Sequence, residues 1–281
     1  MRMVESGSAR IATQSFGSAA DPAILLIMGA TASMLGWPER LCTDLAAQGF
    51  FVIRFDHRDT GQSTTLPAGQ ASYTAEDLAA DVIAVLDGYA LEQATLMGMS
   101  LGGYLAQMVA LQHPARVRAL VLLAAEPLGW DGPALPNIPQ AFFDHLAGLQ
   151  TLDWADRDAV IGFLAGIDAL SAGPGQPFDA AQARARVEQV LARSDSPASM
   201  FNHAALTLRE DWTGRFRDIT QPVLVIHGED DPLLPVANGR AIVEGIAGAE
   251  ILTLPGVGHE LPDATLPAIT ERVVRHIRHL P

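Results

Sequence analysis

Short apolar runs and amphipathic stretches alternate along most of this chain. The runs fall near 10–16, 23–28, 51–55, 93–98, 117–124, 222–227 and 250–254, each about the length of one strand. Helical patterns lie between them. Thr74, with Glu76 and Asp77, suits a helix start, and Leu78, Val82, Val85 and Tyr89 then share a face. Leu101, Leu105, Met108 and Val109 follow the 93–98 run, and that pattern stops at His113-Pro114, as a helix does before proline. Asp263 is expected to cap a final helix that turns Leu266, Ile269, Val273, Ile277 and Leu280 inward. Strands alternating with helices predict an α/β fold, a mostly parallel sheet covered on both faces.

The pattern changes near Pro127. From Asp131 to Pro139 the chain is rich in proline, and helical patterns follow near 139–149, 153–170, 179–193 and 197–209, with no strand pattern among them. Ser171 to Pro177 reads as a hinge-like break. The organisation expected is a core of residues 1–127 and 216–281 with a helical cap at 128–215. The cap segment holds Trp130, Phe142, Phe143, Trp154, Phe163, Phe178, Phe201 and Trp212. Some of these hold the cap on the core, and others suit an apolar pocket wall. Phe142, Phe143, Trp154, Phe201 and His203 are the pocket candidates.

Composition narrows the function classes. A chain of 281 residues with 49% hydrophobic content is long enough to bury a large core. A net charge of −14 argues against nucleic-acid binding and disfavours anionic substrates. The single Cys42 excludes an intrachain disulfide, and its place beside Leu41 and Leu45 suggests a packed thiol. No apolar leader or uninterrupted apolar span is evident, so a cytoplasmic location without membrane association is expected. No His-Glu-x-x-His, cysteine cluster or phosphate-binding Gly-Lys-Ser/Thr string occurs, so neither a metal nor a cofactor is implied.

The chemistry concentrates at strand ends. Ala94 to Gly103 reads as a buried strand that turns through Ser100 into a helix, with Gly98 and Gly102 where side chains would collide. Such a nucleophile elbow lifts the serine hydroxyl above the sheet and aims free N–H groups of the helix start at developing charge. A serine needs a base and an orienting carboxylate. His259 is the base candidate, because it lies in the Gly-rich loop after the 250–254 strand. His276 and His279 suit a helix end, His113 closes a helix, and His227 reads as a packed residue at a strand end. Three acids compete: Asp230 and Asp231 after the 222–227 strand, and Glu126 after the 117–124 strand. The small-residue loop after the 23–28 strand is expected to supply a second oxyanion donor, the Ala30 N–H, beside that of Leu101.

These strings together resemble the α/β-hydrolases. Met28-Gly29, Gly36-Trp37-Pro38, Gly98-Met99-Ser100-Leu101-Gly102, Asp231-Pro232 and Pro255-Gly256-Val257-Gly258-His259 carry the resemblance. Arg54-Phe55-Asp56-His57-Arg58-Asp59-Thr60-Gly61-Gln62-Ser63 is similar to the aclacinomycin methylesterase group of small-ester hydrolases. The resemblance covers the core, roughly 1–127 and 216–281. It departs at Met28, where the pattern usually has histidine, and the middle segment carries no string that names a substrate. It implies Ser100, Asp231 and His259 as nucleophile, acid and base, with Ala30 and Leu101 as oxyanion donors. It also implies a small-molecule ester substrate, a methyl or short-alcohol ester or lactone of a hydrophobic, polyketide-like acid, cleaved through an acyl-enzyme. A serine at the elbow disfavours haloalkane dehalogenases and epoxide hydrolases, which place aspartate there. Perhydrolases and carbon–carbon bond hydrolases share the triad and stay open. A non-catalytic ligand receptor on the same fold is the rival outside enzymology.

Overall fold

The structure, a computed structural model, describes residues 1–136, 138–175 and 177–280. Asn137, in the proline-rich stretch, and Gln176, in the expected hinge, lie outside the described residues. One sheet contains β1 (Arg2–Ser6), β2 (Ala9–Phe16), β3 (Ala23–Ile27), β4 (Phe51–Phe55), β5 (Ala94–Met99), β6 (Val117–Leu123), β7 (Val223–Gly228) and β8 (Glu250–Leu254). Its order is β1-β2-β4-β3-β5-β6-β7-β8. The first two pairings, β1 with β2 and β2 with β4, are antiparallel, and the rest are parallel. Every apolar run is a strand. The pattern did not reveal β1, because this edge strand buries only Val4 and Ser6 and so presents no run.

Side-chain alternation in the sheet sorts the core into two layers. Leu25 and Ile27 of β3 pack with α2 (Ala75–Gly88), α3 (Leu101–Gln112) and α7 (Ala237–Gly245). Ile24 and Leu26 of the same strand pack on the other face with α1 (Glu39–Ala47) and α8 (Leu266–Arg278). The Thr74 N–H donates to Asp77 Oδ2 at 2.8 Å, which closes the start of α2 as expected. Asp263 does not cap the final helix. It begins a separate 3₁₀ turn, Asp263–Thr265, and α8 starts at Leu266, since Pro267 favours the first helical turn, where a missing N–H leaves no bond unmade. Cys42 is fully buried between α1 neighbours, and burial pushes its thiol up to about 11; it is a packing residue.

Between β6 and β7 the chain forms α4 (Gln140–Ala147), α5 (Arg157–Ser171) and α6 (Ala180–Leu191), with no strand among the described residues. This insertion has its own small core of Val160, Ile161, Leu164, Val187, Leu191 and Met200. Leu128 and Trp212, within the range expected for the cap, belong instead to the layer under the sheet. The expected helix at 197–209 is a run of 3₁₀ turns, Pro197–Ala205. Three residues per turn place Ser199 and Asn202 on one face, and both reach the segment after β4: Ser199 Oγ donates to the Leu66 carbonyl at 2.6 Å, and Asn202 Nδ2 to Asp59 at 2.8 Å. Among the described residues no helix is long and apolar enough to cross a membrane.

One buried ion pair ties the sheet edge to α2. Arg58 grips Asp81 through two hydrogen bonds of 2.7 Å, and Ser6 of β1 donates to the same carboxylate at 2.5 Å. Removing one partner of such a pair strands the other charge, at a cost of about 3 kcal/mol. Asp81→Ala is therefore expected to lower the urea unfolding free energy by about that amount, with a change below about 0.5 kcal/mol counting against the network.

Candidate active site

Ser100 stands between β5 and α3 with φ 51° and ψ −120°, a left-handed backbone that a serine adopts only when its surroundings enforce it. The enforcement comes from close backbone packing. A Cβ on Gly98 would lie 2.2 Å from the Gly102 carbonyl oxygen, and one on Gly102 would lie 2.0 Å from that of Ile27. The elbow is thus wedged against β3. A Cβ on Gly29 would meet Ser100 Cβ at 3.3 Å, so the loop after β3 runs directly beside the serine. The Gly103 and Tyr104 N–H groups donate back to the Ser100 carbonyl, which begins α3 there. The preceding N–H groups, Leu101 first, lie at the helix start, where no earlier turn supplies an acceptor.

Asp231 and His259 meet from neighbouring strand ends. His259 Nδ1 donates to Asp231 Oδ2 at 2.7 Å, and Asp231 Oδ1 accepts from the Leu233 and Leu234 N–H groups at 2.8 and 2.9 Å. The Asp231 side chain is fully buried, whereas the imidazole keeps 11% exposure, and among the described residues no hydrogen bond engages its Nε2. Asp230 turns elsewhere and accepts from the Gly256 N–H at 3.0 Å. Glu126 is solvent-exposed after β6. Among the described residues no hydrogen bond joins Ser100 to His259; such bonds often tighten only in a substrate complex. His227 is a packed residue, as expected. Its Nε2 donates to the Leu234 carbonyl at 2.6 Å, and burial lowers its pKa.

The His259 loop also leans on the insertion. The His259 N–H donates to the Ser171 carbonyl at 2.7 Å, the Gly175 N–H to the Gly256 carbonyl at 2.7 Å, and the Gly173 N–H to Glu260 at 2.9 Å. A second and larger polar contact forms at the end of β4. Asp56, fully buried, accepts from the Met34 and Gln62 N–H groups and pairs with Arg193 of the insertion at 2.9 Å. Burial pushes the Asp56 carboxyl up, and Arg193 opposes that rise. Asp59 accepts from Leu66 N–H, Tyr73 and Asn202. The string from Arg54 to Ser63, read as a family marker, is therefore the seat on which the insertion docks.

The pocket candidates divide. His203 is buried, and both ring nitrogens are bonded within the protein: Nδ1 accepts from the Thr31 N–H at 2.9 Å, and Nε2 donates to the Arg58 carbonyl at 2.8 Å. A ring bonded at both nitrogens offers a ligand no free polar atom. Trp154 and Phe201 face each other at 6.2 Å and pack against the insertion's own core. Phe142 is half-buried and edge-on to Phe143, which is 49% exposed. Sequence reasoning missed Arg193, Asn202 and Asp56 as a unit, although four charged or ionisable residues in a row after a buried strand were a signal that something must partner them.

A family model described as alpha/beta hydrolase fold matches residues 22–263. The chain belongs to the alpha/beta hydrolases. This alpha/beta hydrolase is 30% identical over 292 residues to the rhodomycin D methylesterase of Streptomyces peucetius, an alignment spanning 99% of this chain and 98% of that one. It is 28% identical over 255 residues to a 2-hydroxy-6-oxononadienedioate/2-hydroxy-6-oxononatrienedioate hydrolase of Cupriavidus pinatubonensis, covering 89% and 84% of the two chains. The crystal structure of the enol-lactonase from Burkholderia xenovorans superposes with a TM-score of 0.77 at 22% identity, over 99% of this chain and 100% of that one, a likeness of fold.

The buried histidines generate a pH prediction. His57 is completely enclosed, its Nε2 donating to the Met28 carbonyl at 2.9 Å, and burial lowers its pKa from 6.5 to about 3. The neutral ring is thus the folded form, while the unfolded chain takes up the proton below about 6.5. The stability contributed is complete above that pH and is lost as pH falls toward about 3. Each pH unit in that window removes about 1.4 kcal/mol through this one group. His57→Gln keeps an N–H donor and cannot titrate there. Urea unfolding between pH about 6.5 and 4.5 is expected to show a shallower slope for this variant than for the wild type, and identical slopes contradict the assignment.

Proposed function

We propose that this alpha/beta hydrolase cleaves carboxylic esters by two-step acyl transfer. The observation that carries the reading is the Asp231–His259 hydrogen bond of 2.7 Å, formed after β7 and β8, parallel strands of the same sheet as β5, whose end carries a serine held at φ 51°. With its proton on Nδ1 and shared with Asp231, His259 offers Nε2 as the base that takes the Ser100 proton. The Ser100 oxygen then attacks the ester carbonyl. The Leu101 and Ala30 N–H groups receive the charge that develops on the carbonyl oxygen. His259 returns the proton to the departing alcohol, leaving Ser100 acylated. Water, deprotonated by the same imidazole, attacks the acyl group and releases the acid with Ser100 restored.

The insertion is proposed to act as a cap above this site. The methylesterase relative, alignable from end to end, favours methyl or other short-alcohol esters, lactones included, of a hydrophobic ring acid. Carbon–carbon bond hydrolysis is the second reading, favoured by the relatives named for that substrate class. The Phe142 and Phe143 rings of α4 are the remaining candidates for contact with an apolar acid portion.

Ser100→Ala is expected to abolish both fluorophosphonate labelling and turnover of p-nitrophenyl acetate. Asp231→Asn should reduce kcat by about 10⁴, because the amide disfavours the productive tautomer. Asp230→Asn, its side chain bonded to Gly256, should keep near-native turnover. Hydrolysis undiminished in Ser100→Ala overturns the mechanism. Ranking kcat/KM across methyl esters of aromatic acids, long-chain triglycerides, a vinylogous 1,5-diketone and peracid formation separates esterase, lipase, carbon–carbon hydrolase and perhydrolase. Tight binding of an apolar ligand without turnover of any of these identifies a receptor.

A further inference from the structure

Ala30, the residue assigned the second oxyanion donor, lies in a loop gripped on both sides by a histidine ring. On its N-terminal side the Met28 carbonyl accepts from His57 Nε2 at 2.9 Å. On its C-terminal side the Thr31 N–H donates to His203 Nδ1 at 2.9 Å. The two imidazoles pack edge to face, with centroids 5.8 Å apart and planes at 88°, and the Tyr73 ring centroid lies 6.4 Å from that of His203. Thr31 itself has φ 63°, a left-handed backbone unfavourable to a β-branched residue. Such a conformation persists only when neighbouring contacts over-determine it. The Thr31 N–H bond is such a contact, and its acceptor lies in the insertion, 172 residues away in the chain.

We propose that His203 is a positioning residue for catalysis: from the insertion, its Nδ1 fixes the Thr31 peptide and thereby the aim of the neighbouring Ala30 N–H. The proposal rests on Ala30 being an oxyanion donor, as assigned above. The hydrogen bonds also fix the ring's tautomer. Because Nε2 carries the proton given to the Arg58 carbonyl, Nδ1 has a free lone pair for Thr31. The Arg58 end anchors the ring to the β4 loop, and the Thr31 end does the positioning. Loss of the second contact frees the loop from its left-handed turn. A donor displaced by about 1 Å from the developing oxyanion sacrifices on the order of 10²-fold in rate while leaving ground-state binding nearly intact.

The two ends of the ring can be tested separately. Asparagine presents an acceptor near the position of Nδ1 and cannot reach Arg58; glutamine presents a donor near Nε2 and leaves Thr31 unpaired. With p-nitrophenyl acetate, His203→Ala is expected to lose about 10- to 100-fold in kcat, with KM within about threefold of the wild type. His203→Asn should recover most of that loss, and His203→Gln should not. A merely structural histidine predicts the reverse or no distinction, with losses that follow thermal stability. If the alanine variant does not fold, the Asn–Gln comparison decides alone. Gln matching or exceeding Asn overturns the proposal, as does wild-type kcat in all three. Those outcomes, with Ser100→Ala inactive, remove the role of His203 and leave the serine mechanism standing; an active Ser100→Ala removes both.

Discussion

A fully buried carboxylate is destabilising by several kcal/mol unless charge and hydrogen bonds compensate it, and Asp56 sits in that position at the end of β4. The groups that compensate it come from three separate parts of the chain. The Met34 N–H belongs to the segment that follows the loop after β3, the Gln62 N–H to the turn after β4, and the Arg193 guanidinium to the insertion. Loss of any of the three removes part of that compensation. Desolvation thus converts one acidic side chain into a junction where sheet, the chain after β3 and the insertion share a single geometry. Asp59 repeats the device three residues later, with Tyr73, Leu66 and Asn202 as its partners.

The elbow solves a different problem by a different force. Its strained serine is kept in place by steric exclusion: backbone atoms of Gly102 and Ile27 occupy the space into which the turn would relax if it carried larger residues. Apolar burial on both faces of β5 holds those backbones together, with Leu96 in one layer and Met97 and Met99 in the other. The two devices meet at the loop after β3. Gly29 of that loop approaches Ser100, while Met28 and Thr31 on either side are held by the polar residues of the junction.

Much of this was legible in the residues. Seven of the eight strands announce themselves as apolar runs because a parallel sheet buried on both faces demands them. The elbow could be read from Gly98, Ser100 and Gly102, since close packing at a strand-to-helix turn restricts residue choice severely. Which of the two adjacent acids faces His259 depends on the turn after β7: Asp231 bonds the imidazole, and Asp230 bonds the Gly256 N–H. What stayed hidden depends on contacts distant in sequence. His203 reads as a pocket candidate, and its bond to Thr31 shows only when the fold brings the two together, while the Pro197–Ala205 segment has a helical pattern yet forms 3₁₀ turns from which Ser199 and Asn202 bond distant residues. An edge strand such as β1, half exposed, carries too little apolar signal to be seen.

The insertion touches the core through Arg193, Asn202 and His203 near the loops after β3 and β4 and through Ser171 to Gly175 near the loop that carries His259. By contrast, α4 has no fully buried residue. The insertion is therefore two parts with different evolutionary liberties. Its second half is bonded to the loops at the strand ends, so a graft from a relative would have to bring its docking partners along or leave those loops without their partners. The first helix, α4, can drift, lengthen or change its aromatic surface with little penalty to the fold, and new substrate preferences within this lineage have their least obstructed route there.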